Sequence, residues 1–366
     1  MRLKKGPPDF VILFTTLTLM GIGLVMVFSA SAVTASTTYG DPYYYFKKQV
    51  IWAAISLVAM FIVMKFNFLK LRDLAVPLMV LAVICLALVV TPLGIDVKGS
   101  SRWFALGPVR FSPAELSKVA LVMFLARSMD IKIEKIQSFK DGVLPFLAIL
   151  TLICGLIMLQ PDLGTAFVIA GTVFGMLFVA GAQWLHLGGI ILLGALAVAM
   201  AIIYEPYRML RVTAFLDPWK YAQDKGFQTI QSLYALGSGG LFGVGLGMSK
   251  QKFLYLPEQH TDFIFAILGE ELGFVGAATV VGLFLLLAWR GFKVATNAPD
   301  NFSRLLAAGI TISICFQAAV NIGVVSGALP VTGITLPFIS YGGTSLLFTL
   351  IGVGLLLNIS RYSEKE

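Results

Sequence analysis

Long apolar runs separated by short polar or basic segments dominate the chain. Ten of these runs are predicted to be helices, and most approach the ~20 residues that a helix needs to cross a bilayer. They lie at 10–33, 49–66, 74–92, 114–128, 142–160, 163–182, 185–204, 264–289, 303–325 and 338–359. The pattern predicts an all-α, polytopic membrane protein with about ten spans. We expect one membrane domain over 1–366, with a long connection at 205–262 between the seventh and eighth spans.

Composition supports this class. Hydrophobic residues make up 58% of the 366 residues and charged residues only 13%, and the mean hydropathy is +0.89. These values exceed those of soluble globular domains. Cys85, Cys154 and Cys315 each stand alone in an apolar run, so they are interpreted as small buried side chains rather than metal ligands or disulfides.

The basic residues lie mainly in the segments between the predicted spans. A net charge of +8 is compatible with a nucleic-acid partner, but the basic residues alternate with the spans, so membrane topology explains them better and no nucleic acid is expected. One side of the membrane carries Arg2, Lys4, Lys5, Lys65, Lys70, Arg72, Arg127, Lys132, Lys135, Lys140, Arg290, Lys293, Arg304, Arg361 and Lys365, and the other carries Lys47, Lys48, Lys98, Arg102 and Arg110. The positive-inside rule then predicts that both termini are cytoplasmic and that 93–113, 205–261 and 326–337 face outward.

The most unusual stretch is KFLYLPEQHTDFIFAILGEELG, where acidic residues begin a hydrophobic helix. A carboxylate at membrane depth is costly, so Asp262 is a candidate functional residue. Glu270 and Glu271 lie about 12–14 Å further along the helix and are expected to form polar packing or to line an inner cavity. We expect Lys250 and Lys252 beside Asp262 as anion-holding groups.

Those lysines and the helix N-terminus should lower the pKa of Asp262 and make it a weaker base. Two solutions stay open. In the first, burial against apolar side chains offsets the lowering of the pKa. In the second, Asp262 orients the hydroxyl of an attacking substrate or binds a divalent cation, Mg²⁺ or Mn²⁺. Otherwise the sequence indicates no certain cofactor.

Two further outward segments carry charge. In GSSRWFALGPVRFSPAELSK, Arg102 and Trp103 precede a span with Glu115 and Lys118, which are three residues apart and can pair on one helix face. That pair fits a structural ion pair and a substrate site equally well. In QPDLGTA, Asp162 alone is more typical of a turn than of catalysis.

The connection after the seventh span offers a possible anion clamp and a glycine-rich segment. Arg208 and Arg211 have the spacing to present two guanidinium groups on one face. Six glycines between Gly237 and Gly247 allow close approach of the backbone to a ligand or to a helix, or form a flexible re-entrant or surface loop. Near the C-terminus, Ser340 and Thr344 fit the border of a water-filled cavity, although a tight hairpin explains the rest of that run.

These residues suggest a substrate class. The sequence contains no Walker A or GxGxxG pattern, so nucleotide use is not indicated. Cations near a carboxylate at the outer membrane surface suit an anionic, amphipathic and already activated substrate such as a lipid pyrophosphate. The carboxylate would take a proton from an attacking hydroxyl.

The stretch NIGVVSGALPVTGITLPFISYGGTS closely resembles the signature of the RodA/FtsW/SpoVE, or SEDS, family of cell-shape, division and sporulation proteins. LPEQHTDFIFAILGEELG, GSSRWFALGPVRFSPAELSK and QPDLGTA resemble further blocks of that family in its order. The resemblance spans nearly the whole chain. It implies a peptidoglycan glycosyltransferase in the bacterial cytoplasmic membrane that polymerises lipid II on the outer face. The implied partners are a class B penicillin-binding transpeptidase and other membrane proteins of the elongation machinery.

The resemblance also assigns site residues. The family's catalytic acid falls on Asp262 and its loop tryptophan on Trp103. Glu115, Lys118, Asp162, Arg208, Arg211 and Lys252 are carried over as cavity or substrate-binding candidates, to which Arg102, Lys250, Ser340 and Thr344 are added from the residues themselves. The compact ends favour the RodA branch, while the Trp103 loop and ILGEELG resemble FtsW as well.

The mechanism expected from the resemblance is an inverting transfer. Asp262 would deprotonate the 4-hydroxyl of the acceptor GlcNAc, which attacks the anomeric carbon of MurNAc on undecaprenyl pyrophosphate. A lipid II flippase, with Glu115, Lys118 and Glu270 along a translocation path, and a scaffold without chemistry are the alternatives.

Overall fold

The computed structural model describes residues 5–66, 68–97, 100–107 and 109–362. Of the basic residues that indicated orientation, Arg2, Lys4, Lys98 and Lys365 lie outside these residues. The described chain contains twelve α-helices: α1 (Phe10–Tyr39), α2 (Tyr44–Lys65), α3 (Phe68–Val89), α4 (Pro113–Ile131), α5 (Leu144–Met158), α6 (Leu163–Val179), α7 (Trp184–Ile203), α8 (Pro206–Leu216), α9 (Phe227–Gly239), α10 (Ile264–Thr296), α11 (Asn301–Val325) and α12 (Gly343–Ser360).

The predicted all-α, membrane-spanning class is confirmed. Within the described residues, eight helices are long and apolar enough to cross a membrane, namely α1, α2, α3, α5, α7, α10, α11 and α12. The predicted fourth and sixth spans correspond to α4, which carries several charged side chains, and α6, which has 17 residues. Helices α8 and α9 lie in the long connection between the seventh and eighth predicted spans.

A small sheet was missed by the sequence pattern. Strands β1 (Ile95–Val97), β2 (Ser100–Leu106) and β3 (Val109–Phe111) form an antiparallel sheet in the order β1-β2-β3. Its strands are short, so they carry little of the alternation that predicts a strand. The last helix also begins later than predicted, at Gly343. Before it, Phe338 has φ 66°, and the Ser340 hydroxyl accepts a hydrogen bond from the Leu336 N–H at 2.8 Å.

Helix α11 lies at the centre of the bundle and α7 at its periphery. In the most apolar 18-residue stretch of each helix, 67% of the α11 stretch is buried but only 6% of the α7 stretch. Helix α11 packs against α4, α6, α10 and α12. Small residues permit this packing: a Cβ at Gly309 would lie 2.8 Å from both Met176 Sδ and Val122 Cγ1.

The two ends of the bundle contain different parts of the chain. At the end where the first and last described residues meet, Arg290 Nη2 contacts Asp9 Oδ2 at 2.5 Å, and Asn358 Nδ2 donates to the carbonyls of Val63 and Phe66 at 2.8 and 2.7 Å. The opposite end holds the sheet, α8, α9 and the segment 326–342. We call it the Asp262 end.

The glycine-rich segment docks against a break in α10. Gly273 interrupts that helix with φ 67° and ψ −167°. The Val244 N–H donates to the Glu270 carbonyl at 3.0 Å, and the Phe274 N–H donates to the Gly240 carbonyl at 2.9 Å. Non-helical backbone is tolerated at membrane depth where protein groups satisfy it in this way. The glycines therefore bring the backbone close to another helix, one of the alternatives that the sequence left open.

Glu270 and Glu271 fasten this loop. Glu270 accepts from the Ser249 hydroxyl and, at 2.9 Å, from the Lys250 N–H. Glu271 accepts from Ser29 Oγ at 2.7 Å and lies 3.0 Å from Lys252 Nζ. Both carboxylates are buried. Of the two expected roles, polar packing or the lining of an inner cavity, these contacts show polar packing.

We predict that Glu271→Ala strongly destabilises the protein, because it leaves the buried Lys252 ammonium without its carboxylate. Breaking a buried pair from one side costs about 3–5 kcal/mol. The double variant Lys252→Met, Glu271→Leu should recover much of the lost stability. Thermal unfolding of the purified protein in detergent measures this, and equal unfolding temperatures for Glu271→Ala and wild type would contradict it.

Candidate active site

Asp262 lies on a tight turn immediately before α10. The N–H groups of Thr261 and Phe263 both donate to the Glu258 carbonyl, at 3.1 and 3.2 Å. Glu258 has φ 55° in this turn, and the Thr261 hydroxyl donates to its carboxylate at 2.8 Å. The local hydrogen bonds therefore define the turn from Glu258 to Phe263.

Buried side chains from distant elements fix the main chain of that turn. Asn321 Nδ2 of α11 donates to the Asp262 carbonyl at 2.7 Å and to the Ile334 carbonyl at 2.6 Å. Ser340 Oγ donates to the Thr261 carbonyl at 2.6 Å. Gln259 Nε2 donates to the Ala30 carbonyl at 3.0 Å and to Thr34 Oγ1 at 2.8 Å, both in α1. The turn is thus held from three sides.

The surroundings raise the pKa of Asp262 to about 7. Burial is the largest cause, and the carboxylates of Glu258 and Asp162 add repulsion, while Arg102 and Arg211 act in the opposite direction. The side chain keeps partial exposure. A pKa near neutrality leaves about half of the carboxyl groups ionised at neutral pH, and the ionised form is basic enough to accept a proton.

Two expectations about this carboxylate are corrected. The pKa is raised rather than lowered, because burial outweighs the cations, which is the first of the two solutions that the sequence left open. The expected lysines also bond elsewhere. Lys252 Nζ is buried and bonds to Glu271, Ser29 and the Gly247 carbonyl. Lys250 is exposed and uses its N–H to bind Glu270. Proximity in sequence therefore did not give the ionic partners.

Arg102 and Asp162 form an ion pair near the turn, with 3.5 Å between Arg102 Nη1 and Asp162 Oδ2. Arg102 lies on β2, and its Nε donates to the Gln160 carbonyl at 3.0 Å. Asp162 is the N-cap of α6, since its Oδ1 accepts from the Thr165 N–H at 3.0 Å. Asp162 therefore has the structural role that its turn predicts and also acts electrostatically on Asp262.

The two arginines of α8 diverge. Arg211 Nη1 donates to the Val331 carbonyl at 3.0 Å and its guanidinium lies 4.8 Å from the centre of the Tyr207 ring. Arg208 Nη1 instead donates to the Ala201 carbonyl in α7, also at 3.0 Å. Only Arg211 affects the pKa of Asp262. The expected clamp of two guanidinium groups is therefore not formed.

Glu115 and Lys118 lie in a crevice inside the bundle. Their side chains pair at 2.8 Å, and Lys118 Nζ donates to Gln317 Oε1 at 2.6 Å. Gln317 Nε2 donates to the Thr335 carbonyl at 2.9 Å. The empty volume is about 400 Å³, part of it open to the surroundings. These contacts link the ion pair to the segment that precedes α12.

Trp103, Ser340 and Thr344 have different surroundings. Trp103 is partly exposed on β2, next to Arg102, so strand alternation directs the two side chains to opposite faces of the sheet. Ser340 is buried and bonded to the main chain, and Thr344 is buried in the first turn of α12. Neither Ser340 nor Thr344 lines the crevice in the described structure.

The described residues contain no group of three or more His, Cys, Asp or Glu side chains arranged to hold a metal ion. The divalent cation therefore stays an expectation from the sequence. Sequence reasoning also missed Asn321, Gln259 and Gln317. For Asn321 and Gln317 the signal was an amide within a largely apolar run, where a polar group needs partners. Gln259 stands among other polar residues and gave no such signal.

The fold and site define a polytopic all-α membrane protein with a carboxylate-centred polar site at one end of the bundle. The chain belongs to the FtsW/RodA/SpoVE family, whose model, described as cell cycle protein, matches residues 10–365.

Relatives and solved structures match over nearly the full length. Stage V sporulation protein E of Bacillus subtilis is 47% identical over 365 residues, covering 100% of both chains. A probable peptidoglycan glycosyltransferase FtsW of Trichlorobacter lovleyi is 42% identical, covering 96% of this chain and 93% of that protein. A chain of a peptidoglycan synthase complex that coordinates polymerization and crosslinking matches with TM-score 0.82 and 33% identity, covering 98% and 99% of the two chains. The rod shape determining protein RodA of Thermus thermophilus matches with TM-score 0.73 and 33% identity, covering 98% of each chain.

We predict that Asn321→Ala lowers turnover, because the buried carbonyl of Asp262 loses a donor and the turn loosens. A small displacement of a reacting group costs up to about a hundredfold in rate, and we expect a ten- to hundredfold fall in kcat with a smaller change in KM.

Asn358→Ala is the matched control, since Asn358 also donates to two main-chain carbonyls but lies at the other end of the bundle. It should reduce thermal stability and spare kcat. Equal effects of the two substitutions on kcat would contradict a positioning role for Asn321.

Proposed function

We propose that this protein is a peptidoglycan glycosyltransferase that polymerises lipid II, with Asp262 as the general base. The observation that carries the proposal is the Asp262 carboxylate, whose pKa is raised to about 7 on a turn fixed by three other elements. Membership of the family supports it, since relatives bear the name of that enzyme.

The proposed reaction is a single displacement. Asp262 takes the proton of the acceptor's 4-hydroxyl, and the hydroxyl oxygen attacks C1 of the donor MurNAc. The bond from C1 to the pyrophosphate oxygen breaks, and undecaprenyl pyrophosphate leaves with the electron pair. Attack from the opposite face inverts the anomeric configuration.

The guanidinium groups fit the leaving group. Arg102 and Arg211 both act on the charge at Asp262, so they are the cations in electrostatic range of a substrate that meets that carboxylate. Fixed cations stabilise the charge that develops on a departing pyrophosphate. The crevice with Glu115, Lys118 and Gln317 adds a few polar side chains inside the bundle for the lipid-linked substrate. Trp103, on the other face of β2 from Arg102, is retained as a substrate-binding candidate from the resemblance.

The cellular setting follows from the same proposal. The Asp262 end faces outward and both termini face the cytoplasm, as the distribution of basic residues predicts. We propose a class B penicillin-binding transpeptidase as partner, and a structural relative from a peptidoglycan synthase complex supports this.

Within the family, we propose an elongation role of the RodA type, while the sequence relatives carry sporulation and FtsW names. Complementation of strains depleted of RodA or of FtsW separates elongation from division.

A lipid II flippase is the second candidate. The observation that favours it is the crevice around Glu115 and Lys118 within the bundle. A flippase needs a bilayer to act, whereas a polymerase does not.

We therefore predict that the pure protein in detergent converts lipid II into glycan strands and that Asp262→Asn abolishes this activity. Gel separation of the products measures chain formation. The asparagine keeps the shape of the side chain and removes the base, so thermal unfolding serves as the control for folding. Strand synthesis by Asp262→Asn would refute the assignment of the base, and no synthesis by wild type would favour the flippase.

The pH profile provides an independent prediction. Below pH 7 Asp262 is protonated and cannot accept a proton, so kcat/KM should rise with pH through a midpoint near 7. Arg211→Gln removes a cation that lowers the pKa, so it should move the midpoint upward. Asp162→Asn removes a repelling charge and can still cap α6, so it should move the midpoint downward.

Arg208→Gln is the control for Arg211→Gln, because Arg208 lies on the same helix but does not act on the pKa of Asp262. Its midpoint should match wild type. Shifts of Arg211→Gln and Asp162→Asn in the same direction would contradict Asp262 as the titrating group.

A further inference from the structure

The turn that carries Asp262 has an aromatic side as well as a cationic one. The ring of His260 lies 4.5 Å from that of Tyr45 and 5.7 Å from that of Tyr341, centre to centre, and the rings of Tyr45 and Tyr341 are 5.0 Å apart. His260 is two residues before Asp262, so the aromatic group begins at the edge of the proposed active site.

The rings continue from this edge to the surface. Tyr44 lies 5.3 Å from Tyr45, and Tyr39 stacks on Tyr44 at 3.8 Å with an angle of 15° between the rings. Tyr39 is 49% exposed, whereas Tyr45 and Tyr341 are partly exposed. We call Tyr39, Tyr44, Tyr45, His260 and Tyr341 the aromatic platform.

The platform and the turn are joined by the main chain and by a buried amide. The Tyr341 N–H donates to the His260 carbonyl at 2.9 Å. Gln49 Nε2 of α2 donates to the Ser340 carbonyl, and Gln49 Oε1 accepts from the Gly342 N–H, both at 3.3 Å. The first turn of α2, which carries Tyr44 and Tyr45, is therefore fixed relative to Asp262.

Basic side chains lie along the edge of the platform. Lys48 Nζ donates to the Tyr44 hydroxyl at 2.6 Å and lies 4.2 Å from the centre of its ring. Burial raises the pKa of Tyr341 to about 12, and the positive charge of Arg110 on β3 opposes that rise. The platform therefore combines apolar ring faces, phenolic hydroxyls and positive charge.

Sugar rings match that combination. A pyranose has an apolar face of C–H groups and an edge of hydroxyls, and tyrosine offers an apolar face with a polar edge at little cost in conformational entropy. The lactyl-peptide of MurNAc adds carboxylates, for which the basic edge is complementary. An aromatic belt at the membrane surface is the structural alternative, but its rings turn to the lipid rather than pack on a turn of the active site.

Resting on the proposed function, we propose that the aromatic platform is the subsite for the sugar rings of the acceptor glycan. The lipid pyrophosphate of the donor then lies toward Arg102 and Arg211, the guanidinium groups that act on the charge of Asp262. A single displacement requires the acceptor hydroxyl and the leaving group on opposite faces of C1 of the donor, with the base beside the hydroxyl, and a platform that begins two residues from Asp262 would hold the acceptor beside that base.

A soluble β-1,4-linked GlcNAc tetramer tests the platform separately from catalysis. Saturation-transfer NMR on the full-length protein in detergent measures its binding. We expect wild type to bind and Tyr45→Leu to weaken binding about tenfold, a loss within the range of one aromatic contact. Tyr45→Phe keeps the ring and should weaken binding less than Tyr45→Leu. Tyr39→Leu, at a half-exposed position, should weaken binding without a risk to folding.

Trp219→Leu is the matched control. Trp219 is 61% exposed and packs on Tyr234 at 5.9 Å, so it belongs to another aromatic pair in the connection between α7 and α10. Its removal should leave tetramer binding as in wild type. An absence of binding by wild type, or equal binding by wild type, Tyr45→Leu and Tyr39→Leu, would overturn the proposal.

Kinetics with lipid II distinguish this inference from the proposed function. We expect Tyr45→Leu to raise KM about tenfold with little change in kcat. If wild type polymerises lipid II and Tyr45→Leu lowers only kcat, the platform fails while the enzymatic function stands. If wild type binds the tetramer but makes no strands, the proposed function fails while saccharide binding stands.

Discussion

The main chain of the turn from Glu258 to Phe263 is the constraint on which the candidate site depends. Its carbonyl groups bond to Asn321 of α11, to Ser340 and to the Tyr341 N–H, and its Gln259 side chain reaches α1. Each bond satisfies a buried polar group, whose loss would cost about 1–3 kcal/mol. Elements far apart in sequence, α1, α11 and the segment before α12, thus position one carboxylate through the main chain of its turn.

Acidic residues on the same stretch have opposite roles because their surroundings differ. Glu270 and Glu271 accept hydrogen bonds from hydroxyls and N–H groups, and Glu271 also pairs with Lys252. These bonds satisfy the buried carboxylates and make the two glutamates structural anchors for the glycine-rich segment. At Asp262, burial and the neighbouring carboxylates outweigh the two arginines. Asp262 is therefore a proton acceptor whose pKa is close to neutral pH.

The sequence predicted the membrane helices well because an apolar run of about 20 residues is a local signal. The break at Gly273, the short β1-β2-β3 sheet and the docked glycine loop depend on contacts between distant segments, and no local pattern predicts them. The site shows the same division. Asp262 was identified from its position at a helix start, whereas its partners Arg102, Asp162 and Arg211 meet only in the folded chain.

The errors have the same physical origin. Lys252 is ten residues before Asp262, but a buried ammonium requires a carboxylate with good geometry, and Glu271 supplies it. Arg208 and Arg211 share a helix spacing, yet each guanidinium bonds to a different carbonyl. Charge and spacing indicate which kinds of bond a side chain can form. Packing decides which group it bonds to. Asn321 was missed because an isolated amide in an apolar stretch carries no periodic signal, and Gln259 because it stands among other polar residues of the same turn.

A base of this kind has a thermodynamic cost to the fold. The pKa of Asp262 is raised above its usual value, so the protonated form stabilises the folded state at low pH and this contribution is lost as the pH rises toward 7. At the pH where the carboxylate can act as a base, its burial therefore opposes folding. The hydrogen bonds to the turn, which do not titrate near neutral pH, offset that cost. Rigid support of the main chain and an imperfectly solvated carboxylate are thus complementary parts of one site.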